Sequence, residues 1–176
     1  MKIVIPNDLD KLKELHAGDV VELTGVIYTS RDAAHLRMEN MMKNNEELPV
    51  DFTNSFIYYA GPTPTKPGNV VGSIGPTTSS RMDKFAYMMP KMNVLATIGK
   101  GPRDKECVKT YIDNKILYFI TTGGCGALLA KSVKKAEEIA FFDLGPESIK
   151  RLEVDGFKMI LAIDYFGNNI FDKGDK

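Results

Sequence analysis

The sequence predicts an α/β fold, and two observations carry this prediction. Short runs rich in β-branched or aromatic residues indicate strands, and segments of helical character separate most of them. Alternation of this kind is typical of chains that pack helices against a sheet. The predicted strands cover residues 20–28, 56–60, 70–74, 94–98, 116–121, 139–142 and 159–163.

Helix signals occupy several of the segments between these strands. The predicted helices cover residues 31–43, 78–89, 104–112, 127–135 and 146–152. Ser30 and Asp104 stand where N-caps are expected, and Pro146 takes a first-turn position that suits its fixed φ angle. The stretch GPTPTKPG at 61–68 holds three prolines and two glycines, so it is predicted to be an exposed or substrate-facing loop.

Length and composition indicate one domain. The chain has 176 residues, of which 43% are hydrophobic, and this is enough for one substantial core. We therefore predict a single domain over residues 1–176. The stretch DKGDK at 172–176 contains nothing apolar that could offset the entropy lost on ordering, so this tail is predicted to be disordered.

Charge and hydropathy exclude several classes of partner. Lysine plus arginine and aspartate plus glutamate both number 23, so no broad basic surface for nucleic acid or anionic lipid is predicted. The amino-terminal sequence MKIVIPNDLDKLKEL becomes charged too soon for a signal peptide, and no later segment approaches the length of a membrane span. We expect a cytoplasmic protein that binds neither nucleic acid nor membrane.

The chain contains two cysteines, Cys107 and Cys125. They are far apart in sequence and belong to no CxxC motif, so neither a disulfide framework nor a metal site is predicted. Two reduced, buried thiols are the expected outcome.

Three glycine-containing loops are predicted to follow strands and to open helices. They read GSIGPTTSSR at 72–81, IGKGPR at 98–103 and TTGGCGA at 121–127. Helix amino termini bind anions because the first amides lack partners, although a plain strand-to-helix turn is the alternative for any single loop. No GxxxxGK(S/T) motif is present and GGCGA is not a dinucleotide fingerprint, so the three loops together favour a small acidic ligand over a nucleotide.

Cations and other polar side chains recur at two predicted helix starts. Arg31 and His35 are four positions apart and share a helix face, and Thr77 and Arg81 repeat this spacing. The planar fork of arginine matches a carboxylate, so two arginines on different elements could hold both ends of a four-carbon diacid.

Each of these residues also has an ordinary structural interpretation. The arginines suit a solvated helix surface or an ion pair with Asp32 or Asp83. His35 alone is typical of a packed, hydrogen-bonded side chain, and Thr77 of a helix cap. Lys100, between two glycines, suits an exposed turn.

An ordered set of motifs carries a family resemblance across residues 18–169. The motifs are GDVVELTGVIYTSRDAAH, LPVDF, IYYAGPTPTKPG, GSIGPTTSSRMD, TIGKG, GGCGALLAKSVKKAE, DLGPESI and IDYFGNN. With these motifs in this order, the chain resembles the β subunit of the two-subunit class I fumarate hydratases and of the related L-tartrate dehydratase. That subunit is equivalent to the carboxy-terminal domain of the single-chain enzymes.

The resemblance implies a fold, a cofactor and a partner. The implied fold is a swivelling β/β/α domain that closes over a substrate bound at a [4Fe-4S] cluster. Such clusters are held by three or four cysteine thiolates, and this chain has two cysteines. The cluster is therefore expected in a fumarase α-subunit-like partner, within a hetero-oligomer, and no metal or cofactor is expected on this chain alone.

The resemblance also assigns roles to individual side chains. The implied catalytic residues are Thr77 as the proton-transferring hydroxyl, His35 and Arg31. The implied substrate-binding residues are Arg31, Arg81, Lys100 and Thr78. A threonine hydroxyl is a poor base at neutral pH, so its role requires nearby cations that stabilise the alkoxide.

The reaction that the resemblance implies is the reversible hydration of fumarate to (S)-malate. Conversion of L-tartrate to oxaloacetate is the alternative within the same class of enzyme. Two alternatives come from other classes: a non-catalytic module that binds a dicarboxylate, and a structural protein whose glycine loops are plain turns.

Overall fold

The computed structural model describes residues 1–122 and 124–172. Its strands are β1 (Lys2–Val4), β2 (Val20–Thr29), β3 (Phe56–Tyr58), β4 (Ala96–Gly99), β5 (Leu117–Ile120), β6 (Val133–Ala140) and β7 (Ile149–Ile163). Its α-helices are α1 (Asp32–Lys43), α2 (Met88–Lys91), α3 (Lys105–Asp113) and α4 (Gly126–Ser132). Short 3-10 helices cover Asp10–Glu14, Ser79–Phe85 and Phe142–Glu147.

The strands form one sheet that closes on itself. Its order is β1-β2-β3-β4-β5-β7-β6, with β1 to β5 parallel and β7 antiparallel to both of its neighbours. The long strand β7 also pairs with β2 over most of its length, so that β2, β3, β4, β5 and β7 form a small barrel-like ring. The α/β prediction is confirmed as a mixed α/β fold with this barrel-like core.

Alternating side chains of the central strands fill two separate cores. In β3, Phe56 and Tyr58 face the core inside the ring, whereas Ile57 faces the core beneath the helices. Met38 of α1 and Tyr111 of α3 cover that second core. Both faces of the central strands β3 and β4 are thus buried, as is usual for parallel sheets.

The two predicted N-caps have different outcomes. Asp104 caps α3 as predicted, because its carboxylate accepts a hydrogen bond from the Cys107 N–H at 2.7 Å. Ser30 does not cap α1, whose N-cap position is held by Arg31 without a side-chain cap bond. The Ser30 hydroxyl instead lies 2.9 Å from Nδ1 of His35.

The predicted strand at 70–74 is wrong, since this segment forms a loop. The Ser73 carbonyl accepts from the Thr63 N–H at 2.9 Å, and the Ser73 N–H donates to Thr63 Oγ1 at 2.9 Å. The backbone is therefore bonded to the proline-rich loop at 61–68, and Val71 and Ile74 are buried without joining the sheet, whereas Val70 is exposed.

The predicted helix at 146–152 is also wrong, because β7 begins at Ile149. Leu152 pairs with Ile27 of β2 on one side and with Ala136 of β6 on the other. Pairing on two sides decides the backbone conformation here, and it overrides local helix propensity.

Two further predicted helices have different bounds. The helix at 127–135 ends at Ser132, and the charged residues that follow form the edge strand β6, where charge protects an open sheet edge. The helix at 78–89 is split into a 3-10 helix, Ser79–Phe85, and the short helix α2.

The strand ends position the predicted site. Arg31 follows β2, Gly61 follows β3 and Lys100 follows β4 directly, so all three stand at the carboxyl ends of adjacent parallel strands. Open α/β sheets bind ligands at this edge.

The remaining predictions concern membrane-spanning segments and the carboxy-terminal tail. Within the described residues, no helix has both the length and the apolar character needed to cross a membrane. Of the tail predicted to be disordered at 172–176, residues 173–176 lie outside the described part of the chain.

Candidate functional site

A strip of backbone at the ends of β3 and β4 carries three of the predicted residues. Thr77 donates its N–H and its Oγ1 hydroxyl to the Tyr59 carbonyl oxygen, at 2.7 and 2.9 Å. Thr78 forms a parallel β-bridge with Lys100. The Ser79 N–H donates to the Lys100 carbonyl at 3.1 Å, and Ser79 Oγ accepts from the Lys100 N–H at 3.0 Å. The structure therefore brings Thr77, Thr78 and Lys100 together.

Arg31 lies beside this strip. A Cβ atom at Gly61 would meet Nη1 of Arg31 at 2.9 Å, so the absence of a side chain at Gly61 gives the guanidinium its place. Arg31 Nε is buried and has no hydrogen-bond partner among the described residues. The nearest acidic groups are more distant than a hydrogen bond, with Glu147 Oε1 at 3.8 Å from Nε and Asp32 Oδ2 at 3.9 Å from Nη2. This guanidinium retains donors for a ligand.

Arg81 approaches the same carboxylate as Arg31. Its Nη2 lies 4.0 Å from Asp32 Oδ2, and 54% of its side chain is exposed. Asp83, two positions further along, does not pair with Arg81 because it is bonded to Arg103 instead. Two predicted carboxylate-binding arginines thus converge on one oxygen of Asp32, from the end of β2 and from the 3-10 helix Ser79–Phe85.

His35 lies beneath the surface that these residues form. Its side chain is fully buried, and its ring packs against Tyr59 and Phe85 with centroid distances of 5.8 and 5.4 Å. Nδ1 lies 2.9 Å from the Ser30 hydroxyl and 3.1 Å from the Arg31 carbonyl oxygen, and Nε2 has no hydrogen-bond partner among the described residues. Burial lowers the pKa of His35 to about 4, which keeps the ring neutral at pH 7.

The predicted spacing of Arg31 and His35 on one helix face is not what the structure shows. Arg31 is the N-cap of α1 with extended backbone angles, and its side chain is partly exposed, whereas His35 lies inside the helix and is fully buried. Likewise, Thr77 precedes the 3-10 helix that carries Arg81, since the N-cap there is Thr78. The residues meet through neighbouring strand ends, and helical periodicity does not bring them together.

Sequence reasoning missed two groups that shape this site. Arg103 and Asp83 form a buried ion pair below the strip, and Glu147 approaches Arg31 from the segment before β7. A pairing between residues this far apart along the chain leaves no local pattern. The one available signal was the charge of Arg103, which comes directly after a glycine-proline turn that follows a buried strand.

The cysteines do not fit a metal cluster. Among the described residues, no three histidine, cysteine or acidic side chains are arranged to hold a metal ion. Cys107 is buried, and burial raises the pKa of its thiol to about 12, so it stays protonated. Cys125 accepts a hydrogen bond from Thr122 Oγ1 at 3.1 Å, at the start of α4.

This arrangement is suited to binding carboxylates. Arg31 and Lys100 follow neighbouring parallel strands, and Arg81 lies in the 3-10 helix whose first residue, Ser79, is bonded to Lys100. None of the ion pairs of Arg31 and Arg81 with acidic residues is shorter than 3.8 Å. A carboxylate that accepted two hydrogen bonds from either arginine would bind it more closely than Asp32 does.

Known proteins are similar to this chain over most of its length. A family model described as "Fumarase C-terminus" matches residues 2–174. The "Putative L(+)-tartrate dehydratase subunit beta" of Methanocaldococcus jannaschii is 46% identical over 171 residues, which cover 94% of this chain and 88% of the relative. The "L(+)-tartrate dehydratase subunit beta" of Escherichia coli is 33% identical over 182 residues, covering 99% of this chain and 88% of the relative.

The fumarate hydratases among the relatives are longer proteins. "Fumarate hydratase 2" of Leishmania major is 35% identical over 179 residues, which cover 98% of this chain and 32% of the relative. This chain therefore spans about a third of the length of such relatives. The resemblance predicted from the ordered motifs is confirmed, and the chain belongs to the Fumarase C-terminus family.

Proposed function

We propose that this chain is the β subunit of an iron-sulfur hydro-lyase that interconverts fumarate and (S)-malate. The observation that carries the proposal is the convergence of Arg31 and Arg81 on one carboxylate oxygen, beside Lys100 and Thr77. Relatives named fumarate hydratase and tartrate dehydratase support the class of reaction.

Recognition of the diacid is assigned to the cations. Arg31 and Arg81 come from different elements, so each can take one carboxylate through a bidentate pair, or both can hold the same one. Asp32 marks where a substrate carboxylate would lie, because its Oδ2 already stands 3.9 and 4.0 Å from the two guanidinium groups. Lys100 and Thr78 add a point charge and a hydroxyl at the next strand end.

Proton transfer is assigned to Thr77. In the free chain its hydroxyl donates to the Tyr59 carbonyl at 2.9 Å. As an alkoxide, Thr77 would take the proton from the substrate carbon next to the one that loses its hydroxyl, and so return to the hydroxyl form; in the reverse direction the hydroxyl would give that proton back. Positive charge on Arg31, Arg81 and Lys100 is assigned the stabilisation of the alkoxide.

We assign His35 a supporting part in this step. Its ring is buried and neutral, and its Nδ1 lies 3.1 Å from the Arg31 carbonyl oxygen. A direct part in proton transfer would require the ring to become accessible to the substrate, because its side chain is fully covered here.

The cluster is assigned to an α-subunit-like partner. The described residues do not fit such a group, as the two cysteines are separated and Cys107 is protonated. A [4Fe-4S] cluster held by the partner would supply Lewis-acid chemistry for the hydroxyl that leaves or adds. The names of two relatives, both "subunit beta", support a hetero-oligomer. A swivelling motion of this β/β/α domain against the partner, and a cytoplasmic location, belong to the same proposal.

L-tartrate is the second candidate substrate. The relative with 46% identity is named as a putative tartrate dehydratase subunit, and both tartrate dehydratase subunits match this chain over 88% of their own length. Tartrate and malate share two carboxylates and differ in one hydroxyl, so the same arginines would serve for both.

The experiment is an anaerobic co-expression of this chain with an α-subunit-like partner, followed by purification through a tag on this chain. Fumarate absorbance after addition of (S)-malate is measured, with L-tartrate tested in parallel by oxaloacetate formation. The proposal predicts a brown complex that forms fumarate. A colourless chain that purifies alone and still binds a diacid would replace the proposal with a binding module.

One variant in the same complex tests the site assignment. Arg81→Lys keeps the charge but loses the bidentate fork, so we expect KM for malate to rise roughly tenfold and kcat to fall. Arg151→Lys is the matched control, because Arg151 pairs with Glu153 at 2.6 Å on β7 and lies in none of the contacts described above. Equal kinetics in the two variants would remove Arg81 from the site.

A further inference from the structure

A fully buried ion pair lies under the proposed site. Arg103 Nε donates to Asp83 Oδ1 at 2.5 Å, and the two side chains are 0% and 4% exposed. The guanidinium lies over the rings of Tyr59, Tyr111 and Tyr118, with its carbon 5.4, 5.0 and 4.9 Å from the ring centroids. The proposed mechanism uses neither charge.

A contribution to folding stability does not by itself explain why this ion pair is buried. Removing two charges from water is costly, and replacing a buried ion pair by apolar side chains of similar volume is often neutral or stabilising. One Arg103 nitrogen, Nη2, is buried with no hydrogen-bond partner among the described residues, which adds to the cost. The geometry that the pair imposes on its surroundings is therefore the better explanation.

The pair joins the two segments that carry the proposed substrate cations. Asp83 is in the 3-10 helix Ser79–Phe85, two positions after Arg81, and Arg103 is three positions after Lys100. The second Asp83 oxygen, Oδ2, accepts from the Asp104 N–H at 2.8 Å, and Arg103 Nη1 donates to the Tyr111 hydroxyl at 3.3 Å. The helix and the loop that follows β4 are thus bonded to each other and to α3.

The same pair leaves Arg81 without a close internal partner. Asp83 is the carboxylate nearest to Arg81 in sequence, but both of its oxygens are occupied by Arg103 and by the Asp104 N–H. Arg81 is left half-exposed, with Asp32 at 4.0 Å. Loss of Arg103 would free the Asp83 carboxylate to compete with a substrate.

We propose that Arg103 and Asp83 are positioning residues that fix Arg81 relative to Lys100 and keep Arg81 free for the substrate carboxylate. This inference rests on the proposed function. It adds to the site two residues that touch no substrate and act through their neighbours.

The test compares three variants in the complex with the α-subunit-like partner. Arg103→Lys keeps the charge, Asp83→Asn keeps the shape, and the double variant Asp83→Leu with Arg103→Met replaces the pair by apolar side chains. We expect KM for malate to rise roughly tenfold in each variant. A change of this size corresponds to the weakening of one charge-assisted hydrogen bond between Arg81 and the substrate. The double variant is expected to melt close to the wild-type Tm while its KM stays raised.

The double variant separates positioning from stability. A wild-type KM in the double variant would overturn the proposal. With a lowered Tm the pair would act through stability alone, and with a wild-type Tm it would affect neither stability nor substrate binding. Arg151→Lys serves again as the surface control, and its KM is expected to be unchanged.

Hydrogen exchange provides a readout that does not depend on the reaction. In the full chain without partner, we expect the double variant to exchange amides at 79–85 and 100–104 faster than wild type, with the ring strands β2 and β7 unchanged. Unchanged exchange at those two segments would contradict the proposal. A wild-type complex without activity toward malate or tartrate would count against the proposed function, and the exchange result would still decide whether the pair orders these segments.

Discussion

At the scale of single residues, Asp32 is the carboxylate that lies near both arginines of the candidate site. One oxygen of this carboxylate, Oδ2, lies 3.9 Å from Nη2 of Arg31 and 4.0 Å from Nη2 of Arg81. The two positive guanidinium groups therefore lie near the same carboxylate, and neither forms a short ion pair with it. Long ion pairs of partly exposed groups contribute little stability. On the proposed function, the two arginines would exchange Asp32 for a substrate carboxylate at small cost.

His35 gives the stability of the chain a defined dependence on pH. Burial lowers its pKa from 6.5 to about 4, so the unfolded state binds a proton at a higher pH than the folded state does. The free energy of unfolding is therefore highest above pH 6.5, where the ring is neutral in both states, and it declines as the pH falls toward 4. The expected slope is about 1.4 kcal/mol per pH unit.

The measurement is urea unfolding between about pH 7 and 5, above the range where most carboxylates titrate. His35→Gln is expected to lose the slope, whereas His16→Gln, at an exposed ring stacked on Phe166, is expected to keep it. The same slope in wild type and His35→Gln would show that another group is responsible.

At the scale of elements, local sequence predicted those parts of the fold that local interactions determine. The Asp104 cap of α3 and the strand β2 are recognisable because capping and apolar patterning act over a few residues. Segments 70–74 and 146–152 were predicted wrongly because distant partners decide them: a proline-rich loop for the first, and β2 and β6 for the second.

The candidate site, like the fold, could be predicted from the sequence only in part. The motifs located the residues that the structure places together, Arg31, Arg81, Lys100, Thr77 and Thr78. Neither the burial of His35 nor the pairing of Arg103 with Asp83 could be predicted, because both depend on how α1, α3 and the 3-10 helix pack over the sheet.

A substitution at Gly99 tests how tightly the backbone strip at the end of β4 is packed. A Cβ atom there would stand 1.9 Å from Ser79 Oγ and 3.1 Å from the Tyr59 ring. Gly99→Ala is therefore expected to displace Ser79, loosen its bonds to Lys100 and reduce the free energy of unfolding by about 1–3 kcal/mol. Combining it with Ser79→Ala removes the closest clash, so part of this loss is expected to be recovered.

Urea unfolding of the single and double variants checks this coupling. Gly75→Ala is the control, because the nearest atom to its added Cβ would be 3.7 Å away. Its effect is expected within about 0.5 kcal/mol of wild type. Additive effects of Gly99→Ala and Ser79→Ala would show that the two residues do not compete for the same space.

At the scale of the whole molecule, the ring of β2, β3, β4, β5 and β7 forms a rigid base for an open site. The long strand β7 closes the ring by pairing with both β2 and β5, and two residues of the proposed site, Arg31 and Lys100, follow neighbouring strands on its rim. Arg81 is half-exposed and Thr78 is exposed, so this chain alone does not enclose a small diacid. A partner that covers this rim would both supply the cluster and exclude water.

The most direct test of the central claim is to purify this chain and an α-subunit-like partner separately, without oxygen, and to mix them. Formation of fumarate from (S)-malate is followed as this chain is added to a fixed amount of partner. We predict that neither protein is active alone and that activity appears on mixing and reaches a plateau. A partner that converts malate at the same rate with and without this chain would contradict the claim that this chain carries half of the active site.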